Sequence, residues 1–216
     1  MLYQPPTDRA RRAPLIRGYL PTDRASVYEV CRRTAAAGAD ATGHYRDPDL
    51  MGDIFAGPYL QLEPELAFVL DDGTQAVGYV LGTSDTARFA AAFRRAWLPR
   101  VAHRHPAPDG RPSGPDEEMA ALLHLPERMV VPGLEEYPAH LHIDLLPAYQ
   151  RSGYGRALLL TFLGAARRSG ARQVHLGMLT ENTAARSFYD RLGFHEIAVP
   201  DAGPLTYLGR STETDD

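Results

Sequence analysis

The run HLHIDLLPAYQRSGYGRALLLTFLGAARR, residues 140–168, constrains the fold more than any other segment. It begins as an alternating, largely apolar stretch of strand character and ends in an apolar-periodic stretch of helix character. Between them Gly153 and Gly155 follow Gln150, Arg151 and Ser152. A glycine turn that opens a helix presents backbone N–H groups with no intrahelical acceptor, at the positive end of the helix dipole. Such a turn suits a ligand carrying a diphosphate, and Arg151 and Arg156 add charge of the matching sign. The same glycines also suit a plain tight turn, and alone they do not separate the two uses.

Spacing removes the other common phosphate loops. A P-loop needs a lysine after its second glycine, and all 23 Lys and Arg positions of this 216-residue chain are arginine. A dinucleotide fingerprint needs a third glycine where this chain has Leu158, and belongs early in the chain with an acidic residue about 20 positions later.

The flanking sequence reads as alternating strands and helices, which predicts one α/β domain over 14–211, with a loose arm at 1–13 and a tail at 212–216. Leu15–Leu20 is a first strand, and residues 21–38 a helix with Val27, Val30 and Cys31 on one side and Gly38 at its end. Residues 47–62 suggest a second, short helix with an exposed, glycine-broken end. Residues 66–70 and 76–82 are strands around an Asp72-Gly73 turn. Residues 86–98 place Phe89, Phe93 and Trp97 at helical spacing, and a helix is expected near 115–124. The rest of 99–138 reads as irregular, and 84–138 as a whole is the natural lid. Residues 173–179, the helix after Asn182 up to Gly193, and strands at 194–199 and 205–209 complete the chain.

With a net charge of −4, no basic field points to nucleic acid. The N-terminus lacks the apolar core of a secretory signal, and no apolar run is long enough for a membrane helix. The single cysteine, Cys31, excludes an internal disulfide and suggests the cytoplasm. A monomer or a homodimer is expected.

Gln150-Arg151-Ser152-Gly153-Tyr154-Gly155, preceded by a strand ending in Leu145-Leu146, resembles the Q/R-x-x-G-x-G/A loop of the GNAT acetyltransferase superfamily. About 30 residues on, ENTAARSFYDRLGF (181–194) resembles its second signature, an Asn, then a Tyr, then Leu-Gly-Phe. IRGYLPTDRASVYEVCRR, DPDLMGDIFAGPYL, FVLDDGTQAVGYVLGTSD and the ending YLGRS narrow the likeness. They are similar to the C-terminal acetyltransferase-like domain of O-GlcNAcase and its free-standing bacterial relatives, over residues 15 to 211.

The resemblance implies a GNAT fold: a mixed, mostly antiparallel sheet of about seven strands, splayed at the cofactor site, with helices on both faces. It implies acetyl-CoA as cofactor, the backbone of Leu145 and Leu146 pairing with the pantetheine arm, and the N–H groups of residues 151–156 holding the diphosphate. It places Asn182 on the cofactor from the other side of the splay, where the residue can also cap a helix. It puts Tyr189 against the cofactor sulfur as proton donor, although a buried amphipathic-helix Tyr is the other reading. The implied reaction is direct transfer of an acetyl group to a primary amine of a small molecule or peptide. A catalytically silent acyl-CoA-binding or protein-interaction domain is the alternative, and transfer to a hydroxyl uses the same groups.

An alkylamine is neutral about once in 2,500 molecules at pH 7, a penalty of about 4.6 kcal/mol, so a base is needed. His140, His142 and Asp144 alternate with Leu141, Ile143 and Leu145, so they share one face of the motif strand. Asp144 is the first choice as base and His142 the second; a half-exposed strand face explains the histidines equally. A metal site on His140-x-His142 lacks further ligands at suitable spacing. Asp85 and Trp97, at the start of the lid, are the candidates for the acceptor pocket, and the acidic Asp85, Asp144, Glu135 and Glu136 suggest a cationic acceptor.

Overall fold

The computed structural model describes residues 13–36 and 38–214. Seven strands form one sheet in the order β1-β2-β3-β4-β5-β7-β6. They are β1 (Leu15–Gly18), β2 (Ala67–Asp71), β3 (Ala76–Thr83), β4 (Ala139–Leu145), β5 (Gln173–Leu179), β6 (His195–Ile197) and β7 (Leu205–Ser211). Every neighbouring pair is antiparallel except β4 and β5. The expected arm lies outside the described residues apart from Ala13. The expected tail is partly docked: Thr212 is buried, and its Oγ1 donates to the Ala171 carbonyl at 2.8 Å.

The alternation along β3 sorts the two faces. Gly82 faces α7 (Tyr154–Arg168), and a Cβ there would come within 2.5 Å of Phe162. Glycine is therefore required where the helix lies this close to the strand. Tyr79, Leu81 and Thr83 face the other way, opposite Asp144, His142 and His140 in register. This second face is covered by α1 (Arg24–Arg32), α2 (Leu50–Phe55), α3 (Gly57–Leu62) and α4 (Thr86–Ala92). Val27, Val30 and Cys31 are buried as the stripe predicts, and burial pushes the Cys31 thiol up to about 12.

Residues 47–62 differ from expectation. They form two helices, and Leu50–Ile54 and Gly57–Leu60 are buried rather than exposed. Gly52 and Gly57 are packing positions: a Cβ on Gly52 would sit 2.3 Å from the Tyr28 ring, and one on Gly57 would sit 2.2 Å from the Tyr28 hydroxyl and 2.6 Å from Trp97. The helix from Thr86 continues through a π-turn at Phe93–Trp97 into α5 (Leu98–Val101), and α6 (Pro115–His124) forms where expected. A further 3₁₀ turn at Pro126–Met129 makes 99–138 less irregular than its composition suggests.

The segment read as a lid is bolted to the body. Asp53 of α2 is fully buried and takes hydrogen bonds from Tyr28 (2.8 Å) and Arg104, with His105 Nε2 at 2.9 Å. The Trp97 indole N–H donates to the Asp53 carbonyl at 2.8 Å. A buried carboxylate with this many partners holds the segment, because breaking the set leaves an uncompensated charge inside. The last helix, α8 (Thr183–Asp190), follows β5.

Candidate active site

Strands β4 and β5 each run for seven residues. They pair only at Ala139 with Val174 and His140 with His175, and then part. β5 continues in register with β7 as far as Leu179, while β4 stays on β3. Burial follows the opening: Ala139, His140 and Leu141 are buried, and His142–Leu145 are half-buried.

The Leu146 amide donates to the Val77 carbonyl at 3.0 Å, so backbone groups of even-numbered β4 residues face β3. Those of Ile143 and Leu145 face the gap by alternation. This corrects the expectation for Leu146, whose carbonyl also accepts from the Tyr149 amide at 2.9 Å, so both its backbone groups are engaged within the chain. The Leu145 carbonyl accepts from Gln150 Nε2 at 2.9 Å.

The loop at the mouth of the gap is built for open amides. Arg151 has φ 59° and Gly153 φ 85°, both left-handed. Gly153 is the N-cap of α7, and no side chain caps the helix. The first-turn amides of Tyr154, Gly155 and Arg156 are therefore left for solvent or a ligand. Gln150, Arg151, Ser152, Gly153 and Arg156 are exposed. Among the described residues neither Arg151 nor Arg156 forms an ion pair. The Tyr149 hydroxyl donates to Asp72 Oδ2 at 2.9 Å, fixing the loop to the β2–β3 turn. A Cβ on Gly155 would lie 3.2 Å from Phe188 and 3.6 Å from Leu145, so α7 starts close against α8 and β4. An open-edged strand leading to uncapped amides between two guanidiniums that no described acidic residue pairs fits a ligand with an extended amide-bearing arm and a diphosphate.

Asn182 is the N-cap of α8, its side chain accepting from the Ala185 amide at 3.0 Å. Tyr189 is 8 % exposed and packs edge-on against Phe188 (5.1 Å) and Phe194 (5.3 Å). Its hydroxyl makes no hydrogen bond to any described residue and yet is not sealed from solvent. Burial, with the charge of Asp144 second, pushes this phenol well above its ordinary range.

His140, His142 and Asp144 share the face under α1–α4, as expected. Asp144 Oδ2 accepts from the Tyr79 hydroxyl at 2.7 Å. Burial pushes its carboxyl up to about 6, against the opposing hydrogen bond from Tyr79. His142 Nε2 lies 3.1 Å from the Tyr59 hydroxyl, which is also 2.6 Å from His140 Nε2. Burial, followed by the Arg128 guanidinium and His175, lowers His142 to about 4, and burial, followed by His175, holds His140 well below the usual imidazole range. Both imidazoles are thus neutral at neutral pH. Among the described residues no three His, Cys, Asp or Glu side chains are grouped as a metal site.

Of the two acceptor-pocket candidates, Trp97 is corrected and Asp85 has a structural part as well. Asp85 is the N-cap of α4, its Oδ1 accepting from the Arg88 amide at 2.9 Å. Trp97 is 2 % exposed and lies in the core on Asp53, so it walls no open pocket. Tyr59 and Thr86, which sequence reasoning missed, touch the histidines directly. The only local signal was their place in apolar helices, and nothing local says that residues 54 and 81 positions away would meet His140.

The Acetyltransferase (GNAT) family model matches residues 117–194. Protein O-GlcNAcase of Rattus norvegicus is 28 % identical over 211 residues, which cover 96 % of this chain and 23 % of that protein. The chain thus spans about a quarter of the length of the curated relatives it matches. The crystal structure of SsHAT is 61 % identical, with TM-score 0.91, covering 94 % of this chain and all of that one. The structure of yncA, a putative acetyltransferase from Salmonella typhimurium with its cofactor acetyl-CoA, is similar in fold at 18 % identity and TM-score 0.54, covering 94 % and 96 % of the two chains. The splayed strands, the glycine loop and these likenesses agree, and the chain belongs to the GNAT acetyltransferase family.

Proposed function

We propose that the chain is an acetyl-CoA-dependent N-acetyltransferase that transfers directly to a primary amine of a small molecule or peptide, in a ternary complex. The observation that carries this is the parting of β4 from β5 after two paired residues, beside an uncapped helix start flanked by two arginines that form no ion pair among the described residues. When bound, acetyl-CoA supplies an activated thioester carbonyl. The amides of residues 151–156, with Gln150 and the rim arginines, hold its diphosphate, and the backbone of Ile143 with the Leu145 amide, whose carbonyl is taken by Gln150, holds its arm. Asn182 borders the gap from α8. Tyr189 keeps a proton on an oxygen that no described residue binds, which suits a donor to a departing thiolate.

Asp144 and His142 lie on the face where an acceptor would enter. Asp144 offers negative charge to a cationic amine, and His142 a neutral imidazole. The buried lone thiol of Cys31 is in keeping with a cytoplasmic protein. Among the described residues no helix is long and apolar enough to cross a membrane.

Amine-dependent release of free coenzyme A thiol, measured across a panel of small amines and Lys-containing peptides, tests the reading. Release with no member of the panel, in protein that binds acetyl-CoA, would leave the catalytically silent acyl-CoA binder. That second reading draws on one observation: Trp97 is buried in the core against Asp53 and walls no open pocket.

A further inference from the structure

Four side chains from three elements form one hydrogen-bonded row beneath α3 and α4. Thr86 Oγ1 lies 2.8 Å from the Pro138 carbonyl and 2.8 Å from His140 Nδ1. His140 Nε2 lies 2.6 Å from the Tyr59 hydroxyl, and that hydroxyl 3.1 Å from His142 Nε2. Each neutral imidazole has one N–H and one lone pair, and each hydroxyl has one hydrogen to give.

The row can run in two directions, and they are not equivalent. If Thr86 gives its hydrogen to His140, the contact between Thr86 and Pro138 holds two oxygens at 2.8 Å with no proton between them. If Thr86 donates to Pro138 instead, His140 donates from Nδ1 to Thr86, and Tyr59 donates to the lone pair on His140 Nε2. His142 then donates from Nε2 to the Tyr59 oxygen. Every contact in the row is now a hydrogen bond, and the buried oxygen pair is avoided, so this direction is favoured. Its open end is the lone pair on His142 Nδ1. That nitrogen has no hydrogen-bond partner among the described residues and is not sealed from solvent, since the one buried unpaired side-chain atom among them is Glu63 Oε2.

We propose that His142 Nδ1 is the proton-accepting atom of the site, and that Tyr59, His140 and Thr86 are positioning residues that hold His142 as the Nε2–H tautomer. The assignment rests on the acetyl-transfer reading and chooses the base within it. The proton balance is simple. The new N–C bond would be matched by breaking of the thioester C–S bond, whose pair leaves on sulfur and takes the Tyr189 proton; the nitrogen, positively charged on attack, loses one N–H, that pair staying on nitrogen and the proton bonding to Nδ1.

The base need not be strong, because the nitrogen loses its proton readily once it carries positive charge. The groups facing His142 are Arg128, His140, His175 and Tyr59, with Asp144 two residues along the strand. The cationic and imidazole neighbours disfavour a lasting imidazolium, which returns its proton to water. Asp144 has one carboxylate oxygen engaged by the Tyr79 hydroxyl at 2.7 Å, and it lends negative charge beside His142.

Nitrogen-15 NMR of histidine-labelled protein, free of cofactor, reads the tautomers directly. His142 is expected to show a pyridine-like Nδ1 and a pyrrole-like Nε2, and His140 the reverse. Thr86→Val removes the hydroxyl that sets the direction, three hydrogen bonds from Nδ1, and should move both rings toward mixed tautomers; Thr86→Ser should restore the pattern. Tyr59→Phe should scramble His142 and lower kcat about tenfold, with acetyl-CoA affinity unchanged. A wild-type His142 protonated at Nδ1, or tautomers unmoved in folded Thr86→Val, would overturn the assignment. The spectra report the row alone and turnover reports acetyl transfer, so the two readings fail separately.

Discussion

Replacing Tyr189 with Phe separates rate from stability. The ring is held by Phe188 at 5.1 Å and Phe194 at 5.3 Å, and both contacts survive the change. The hydroxyl has no partner among the described residues, so no intramolecular hydrogen bond is lost. A partnered buried hydroxyl would contribute about 0.5–1.5 kcal/mol, and its loss would lower Tm by a few degrees in a chain of this size. Tyr189→Phe should instead shift Tm by less than about 2 °C, since the stability change stays within about 0.5 kcal/mol. A proton donor in the transition state contributes about 10²–10⁴ in rate, or about 3–5 kcal/mol of barrier. The assay is thiol release under saturating acetyl-CoA, with thermal melts of the same samples. Unchanged kcat in a well-folded variant would refute the donor role. A large fall in Tm with a matching loss of cofactor affinity would make Tyr189 a structural residue.

The other substitutions probe the frame and its titration. Asp53→Ala leaves Arg104 and His105 without their buried carboxylate, and should cost about 3–5 kcal/mol in urea unfolding. Gly82→Ala sets a Cβ 2.3 Å from the His140 carbonyl and 2.5 Å from Phe162; soluble yield and Tm should fall sharply, whereas Gly153→Ala, with open space around it, should cost only about 1 kcal/mol for its left-handed backbone. Acid should destabilise the fold. His140, His142 and His175 have folded-state pKa values depressed below the unfolded value of about 6.5, so the stability they support is full above that pH and is lost as pH falls toward about 4, where His142 titrates. Asp144, raised to about 6, acts oppositely, its share being present at low pH and lost as pH rises through that value. Urea midpoints between about pH 4 and 7 should therefore rise with pH, more steeply in Asp144→Asn and less steeply in His142→Gln.

Much of the fold was legible because it rests on local pattern. The glycine turn between strand and helix at 145–156, the Asp72-Gly73 hairpin and the helix over Pro115–His124 each follow from residues within a few positions of one another. The shared face of His140, His142 and Asp144 follows from strand periodicity alone. What escaped depended on distant partners. Gly52 and Gly57 look like helix breakers until Tyr28 and Trp97 occupy the space of a side chain. Trp97 looks like a pocket wall until its indole reaches Asp53, 44 residues back. Tyr59 and Thr86 look like ordinary helix residues until the sheet brings the histidines under them. Leu146 was implicated beside Leu145, but pleat direction, which only strand register reveals, turns its amide toward Val77.

The central claim is that acetyl-CoA binds along the β4–β5 gap with its diphosphate on the start of α7. Calorimetric titration of acetyl-CoA into wild type and Gly155→Asp, with parallel melts, tests it most directly. An acidic residue in the first turn is favourable to the helix dipole, and its Cβ, 3.2 Å from Phe188, needs that ring to give by a few tenths of an ångström, so the parallel melts establish that the variant keeps its fold while its carboxylate repels the diphosphate. The wild type should bind with one-to-one stoichiometry and gain about 2.7 kcal/mol of stability at a hundredfold excess over Kd, and Gly155→Asp should show neither heat nor gain. Absence of binding by the wild type at millimolar cofactor, or equal binding by both, would contradict the account.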